Sequence, residues 1–223
     1  MAKNKKNEAL ALDVQLTKSE AFIEKHLKEI LIVLAAVIVV VAGIFLWKNY
    51  QKKQNNEAAE MIAKSQMAFA QEQYEQALNG DGAQEKGFLK IIDEYGSTAT
   101  GNLAKAYAGL CYANLDKVDD AIKMLEDFDT KDDDMVSPSA VAALGNCYVK
   151  KGDTKKGIDY LLKAAKMADN DAVTPVFLLQ AGELYESLNE QDKALELYQQ
   201  IKDKYFRSPI SADIDKYIER ATK

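Results

Sequence analysis

The sequence predicts an all-α chain in which a single N-terminal transmembrane helix is followed by an α-solenoid of helix-turn-helix repeats. Residues 30–47 (ILIVLAAVIVVVAGIFLW) form an uncharged run of 18 positions. A hydrocarbon core of about 30 Å is crossed by roughly 20 apolar residues at 1.5 Å rise each, so the run spans. Farther along, AGLCYANLDKVDDAIKML, LGNCYVKKGDTKKGIDYL and AGELYESLNEQDKALELY align without a gap. Composition agrees: only 3 Pro and 11 Gly occur in 223 residues, while good helix formers abound.

Residues 1–29 read as a charged tail with six lysines and five acidic residues. The length of this tail, the length of the apolar run and the lack of an A-x-A site after it fit an uncleaved anchor rather than a signal peptide. Trp47 and Tyr50 suit the interfacial aromatic belt. Ala35, Ala42 and Gly43 are small enough for close helix packing inside the membrane. Lys18, Lys25 and Lys28 precede the span and Lys48, Lys52 and Lys53 follow it, so the positive-inside count is tied and charge does not select a side.

No Gly or Pro occurs between Gly43 and Gly80. The membrane helix is therefore expected to continue through 48–79, with Ala58, Met61, Ile62, Ser65 and Phe69 on one face. Gly80, Asp81, Gly82 and Gly87 are expected to end it, and 80–101 to hold a connector and the second helix of a degenerate first repeat. There Phe88, Ile91 and Tyr95 match Tyr198, Ile201 and Tyr205, but a matching glycine in the first helix is absent. Regular repeats are expected over 102–137, 138–174 and 175–208. A capping helix over 209–223 would carry Ile210, Ile214, Tyr217 and Ile218 on one face.

Within the repeats, Gly109, Gly145 and Gly182 coincide, at spacings of 36 and 37 residues, as do Tyr112, Tyr148 and Tyr185, then Ala121, Gly157 and Ala194. The small residue lets the first helix, A, approach the second, B; the second small residue sits at the crossing on B. A single such hairpin cannot bury its apolar face, so the units stack. Ser137-Pro138, Thr174-Pro175 and Ser208-Pro209 each read as an N-cap residue ahead of Pro at the first helical position.

These residues resemble the tetratricopeptide repeat (TPR), whose period of about 34 residues is slightly shorter. With the single span and the stretch FLKIIDEY…GNLAKAYAGLCYANL…DDAIKML, the chain is similar to the YfgM-like membrane-anchored TPR proteins. That resemblance implies a bacterial inner-membrane protein with a cytoplasmic N-terminus and a periplasmic repeat domain. It further implies an ancillary subunit of the SecYEG translocon, partnered by a PpiD-like chaperone and touching exported polypeptides. On TPR helices A the concave positions fall at Leu103, Ala106, Leu110, Ala113, Ala142, Asn146, Val149, Val176, Leu179 and Glu183. A carboxylate-gripping TPR needs a Lys and two Asn there, and only Asn146 qualifies. A mostly apolar groove with an acidic edge, suited to a hydrophobic helix or extended segment, is the better expectation.

Other chemistry finds little support. The residues beyond 29 carry 23 basic against 30 acidic side chains, with no basic stripe for nucleic acid. His26 is the only histidine, which removes His-based triads and multi-His metal sites from the repeats. Cys111 and Cys147 hold equivalent positions in stacked repeats about 8–10 Å or more apart, too far for a disulfide. Asp129, Asp132, Asp133 and Asp134 lack the central Gly and terminal Glu of a calcium loop. No catalytic residue, metal or cofactor is expected, and the function expected is that of a non-enzymatic interaction module. The alternative partner is another cell-envelope complex that uses the chain as a structural scaffold.

Overall fold

The computed structural model describes residues 2–82 and 86–222, with side chains from residue 22 onward except residue 24. The chain divides into two units, one ending at Lys53 and one beginning at Gln54. The described residues form ten α-helices: α1 Ala2–Ala70, α2 Tyr74–Asn79, α3 Phe88–Tyr95, α4 Ala99–Asn114, α5 Val118–Glu126, α6 Val136–Lys150, α7 Thr154–Ala168, α8 Thr174–Ser187, α9 Gln191–Lys204 and α10 Ile214–Ala221.

In the first unit the apolar run lies within α1, with a mean hydropathy of 3.2 over its best 18 residues and none of them buried. Val39 and Phe45 are 70% and 71% exposed. A helix this long and this apolar is compatible with a single-pass membrane anchor. Ala35, Ala42 and Gly43 are all exposed along it.

The second unit is organised by one turn, repeated. Glu72, Asp116, Gly152 and Asn189 all have φ between 58° and 87°, and each lies two residues before a helix: α2, α5, α7 and α9 respectively. At each turn an amide donates to the carbonyl five residues back, from Gln73 to Ala68, Lys117 to Tyr112, Asp153 to Tyr148 and Glu190 to Tyr185, all at 2.9 Å. These are Schellman closures, which satisfy carbonyls left open at the end of helix A. The turn therefore marks four units, the first of them in the place expected for the degenerate repeat.

This register alters the expected first repeat. Helix α1 stops at Ala70 and the chain turns at Glu72, not at the glycine cluster. Gly80 and Gly82 instead interrupt helix B, splitting it into α2 and α3. Tyr198 follows Ala194 by four positions, whereas Phe88 follows Ala77 by eleven, so seven residues are inserted into helix B. The place of the missing glycine, seven residues before the turn, belongs to Ser65. It is 4% exposed, and its hydroxyl donates to the Lys86 carbonyl at 2.9 Å.

The helix crossings need small residues for measurable reasons. A Cβ on Gly145 would lie 2.8 Å from the Gly157 carbonyl oxygen, and one on Gly182 would lie 2.4 Å from Tyr198 Cε1. Around these crossings run three cores. One joins the end of α1 to α2, α3 and α4, one joins α4, α5 and α6, and the largest gathers α7, α8, α9 and α10 with Val141 and Ala142 of α6. The C-terminal cap begins with a 3₁₀ turn, Pro209–Ala212, and continues as α10.

Two of the three expected caps are replaced. Ser137 and Thr174 lie inside their helices. The amides of Met135, Val136 and Ser137 donate to Asp133 Oδ1 at 2.6–3.1 Å, and those of Ala172 and Val173 donate to Asn170 Oδ1 at 2.9 and 3.0 Å. Ser208 does cap, accepting from the Ile210 amide at 3.3 Å. The longer Asp and Asn side chains reach across a turn that a hydroxyl cannot bridge.

Gly145→Ala is expected to destabilise the repeat unit by about 1–3 kcal/mol, because backbone rather than a flexible side chain receives the new methyl. Thermal unfolding should show a melting temperature lower by roughly 5 °C. Gly43→Ala, where nothing lies within 4 Å, should leave it unchanged.

Candidate partner-binding face

Helices A and B divide the chemistry of the surface between them. In α4, α6 and α8 only Lys105, Lys150, Glu183 and Glu186 are charged, four residues of 45. In α5, α7 and α9 fifteen of 38 are charged. Ion pairs link successive units, mostly through residues at the turns and helix ends. Lys117 meets Glu75 at 2.8 Å, Lys150 meets Asp116 at 2.7 Å, Lys151 meets Asp119 at 2.5 Å and Lys204 meets Asp169 at 2.6 Å. Each exposed pair contributes about 0–1 kcal/mol, so the series serves alignment more than stability.

The ten expected groove residues are not equivalent. Ala106 and Ala142 are buried, 0% and 3% exposed, in the cores between helices A. Leu103, Ala113, Val176 and Leu179 are partly buried and lie against the cores. Val149 faces helix α7, where its Cγ2 is the atom nearest to a Cβ built on Gly157. Leu110 is partly buried and stands outside the three cores among the described residues. Glu183 is exposed. Asn146 reaches the next helix A, its Nδ2 donating to Gln180 Oε1 at 3.3 Å.

Gln180, with Ala143 and Ser139 one and two turns before Asn146, was not legible as part of this face. Its signal was the amide pairing itself, 34 residues apart, which periodicity does not reveal. On the helix B side, a cavity of about 250 Å³ between α7 and α9 is lined by Leu162, Lys166, Asp169, Leu197 and Lys204. Its acid is already held by Lys204 at 2.6 Å and by the Tyr205 hydroxyl at 2.8 Å, so helix A remains the candidate face.

The cysteines and the acidic loop have structural occupations. Cys111 and Cys147 are free thiols, both buried. Burial pushes the Cys111 thiol up to about 12 and raises that of Cys147. Burial would also raise Asp133, but its bonds to the Ser137 hydroxyl and to three amides outweigh that and hold it below the usual carboxylate range. Among the described residues no group of three or more His, Cys, Asp or Glu side chains is placed to hold a metal.

With four identical turns, small residues at every crossing and stacked A–B hairpins, the architecture is decided. The fold is that of a tetratricopeptide-repeat solenoid. The tetratricopeptide-repeat family model matches residues 177–205, which is α8 and α9 of the fourth unit. A kinesin-light-chain-like protein of Podosopora anserina with nearly identical TPR-like repeats is similar at 13% identity and a TM-score of 0.50, over 76% of this chain and 84% of that one. Two MamA crystal structures match at 16% and 21% identity, with TM-scores of 0.49 and 0.43, over 76% and 60% of this chain and 91% and 86% of theirs. No curated protein matches the chain in sequence.

At pH 8 a thiol of pKa about 12 is ionised to roughly one part in ten thousand. Cys111 should therefore resist iodoacetamide in the native protein, as should Cys147 through its burial, and both should react fully in denaturant, as mass spectrometry of the alkylated chain would read.

Proposed function

We propose that the chain is a membrane-anchored protein–protein interaction module, without catalysis of its own, in which helices A of the solenoid receive the partner. The observation that carries the reading is the sparsely charged, partly exposed helix-A face, four charged residues of 45 in a chain that is 29% charged overall. Such a face costs little to desolvate against another polypeptide. TPR folds commonly serve as scaffolds of this kind. The transmembrane stretch would hold the module at a bilayer, with Ala35, Ala42 and Gly43 offering close packing to a neighbouring helix.

The likeness to YfgM-like proteins supports a finer reading. In it the protein is an ancillary subunit of the bacterial SecYEG translocon, with its N-terminus in the cytoplasm and its repeats in the periplasm. A PpiD-like chaperone would be the standing partner and exported chains the passing ones. Copurification after mild detergent extraction separates this from a scaffold role in another envelope complex, since the captured subunits differ.

Lys131 is exposed in the loop before α6. Lys131→Cys in intact cells is expected to react with a membrane-impermeant maleimide admitted to the periplasm. Labelling obtained only after inner-membrane lysis would overturn the periplasmic placement.

Leu110→Glu should abolish copurification of the partner while costing less stability than the same change at a core-packed leucine, because Leu110 is only partly buried and stands outside the three cores. Leu179→Glu, which charges a residue against the largest core, should instead lower the melting temperature clearly. Retained binding in a folded Leu110→Glu protein would move the interface away from helices A.

A further inference from the structure

We infer that Asn79, with the glycine that follows it, is a site of spontaneous deamidation whose acidic product loosens helix α2 in the first unit. Asn79 is the only asparagine in the sequence followed by glycine. Glycine has no Cβ, so nothing shields its backbone nitrogen from the side chain before it. The position is also reachable. Asn79 is exposed and ends α2, a helix of six residues, and so short a helix has little stability of its own. Its Nδ2 donates within that turn, to the Glu75 carbonyl at 3.0 Å and to Glu75 Oε2 at 3.3 Å. By contrast, Asn55, Asn102, Asn146 and Asn170 are bonded to distant parts of the chain. The Gly80 amide donates to the Gln76 carbonyl at 2.7 Å, so each attack waits for the last turn of α2 to open.

In the reaction the Gly80 nitrogen gives up its proton to solvent and bonds to Asn79 Cγ. The Cγ–Nδ2 bond breaks and ammonia leaves, which closes a succinimide ring. Water then adds to either ring carbonyl and opens it, leaving an aspartyl or an isoaspartyl residue at 79. Both steps are redox-neutral. Either product exchanges an amide for a carboxylate, four residues after Glu75 and at the C-terminal end of α2. Like charge and the helix dipole both oppose it there, and the two bonds from Nδ2 to Glu75 are lost with the amide. Glu75 Oε1 also holds Lys117 at 2.8 Å, at the turn of the second unit. The change therefore falls on a joint between units.

The test incubates the full-length protein in detergent micelles, in heavy-oxygen water at mildly alkaline pH, and maps its peptides by mass spectrometry. The peptide carrying residue 79 should exchange an amide for a heavy-oxygen acid at least about tenfold faster than any peptide carrying another asparagine. Conversion no faster than at the other asparagines overturns the inference. Asn79→Gln, which would have to close a larger ring, should lose that mass change; its persistence places the reaction elsewhere and overturns the inference too. Asn79→Asp installs the charge of the product. It should speed hydrogen–deuterium exchange of the α2 amides by about threefold to tenfold and leave that of α9 unchanged. Unaltered exchange in α2 overturns the claim that the product loosens the helix.

Discussion

Where α6 and α7 cross, two glycines face each other so closely that a methyl on Gly145 would meet the Gly157 carbonyl at 2.8 Å and one on Gly157 would meet that of Gly145 at 2.9 Å. Backbone, not side chain, makes this contact. Once the helices are that near, the chain must reverse within a few residues, and the left-handed residue with its 2.9 Å closure supplies the reversal. The hairpin so formed has an apolar side it cannot cover alone, and the next hairpin covers it. The other units vary the same crossing. Leu125 closes over Gly109, Tyr198 closes over Gly182, and Ser65 replaces glycine where its hydroxyl can bond the inserted segment at Lys86.

That geometry also explains the distribution of charge. Helix B turns its outer side to solvent, and its acidic and basic residues meet across neighbouring units, as in Asp119 with Lys151 and Asp169 with Lys204. Helix A is lodged between its own helix B and that of the preceding unit and has little room for long charged chains. Alanines fill the tight positions, with Ala106 and Ala142 enclosed, and amides and leucines occupy the looser ones. A sparsely charged face is thus a by-product of stacking, and the Asn146–Gln180 hydrogen bond joins two helices A across it.

The N-terminal unit obeys a different solvent. From residue 22 onward its leucines, valines and isoleucines are exposed along α1, an arrangement that water disfavours and hydrocarbon favours. Seated in a bilayer, such a segment would hold the repeat unit near it and raise the effective concentration of any membrane-resident partner.

Much of this was written in the sequence. The apolar run, the recurring glycines and tyrosines and the small residue on each helix B declared a membrane helix and stacked hairpins, because bilayer thickness and close crossing each demand particular residues at fixed spacing. Tertiary structure alone decided the rest. The first repeat hid its register behind seven inserted residues and behind Ser65, since a buried serine serves as a small residue only when a carbonyl waits for its hydroxyl. The capping roles passed from Ser137 and Thr174 to Asp133 and Asn170, because loop length sets which side chain reaches the free amides. On the candidate face, sequence could align positions of helix A but could not tell the gap between two helices from the open groove. Ala106 and Leu110 differ by one turn, and only the neighbouring helix determines that the first is sealed and the second reachable.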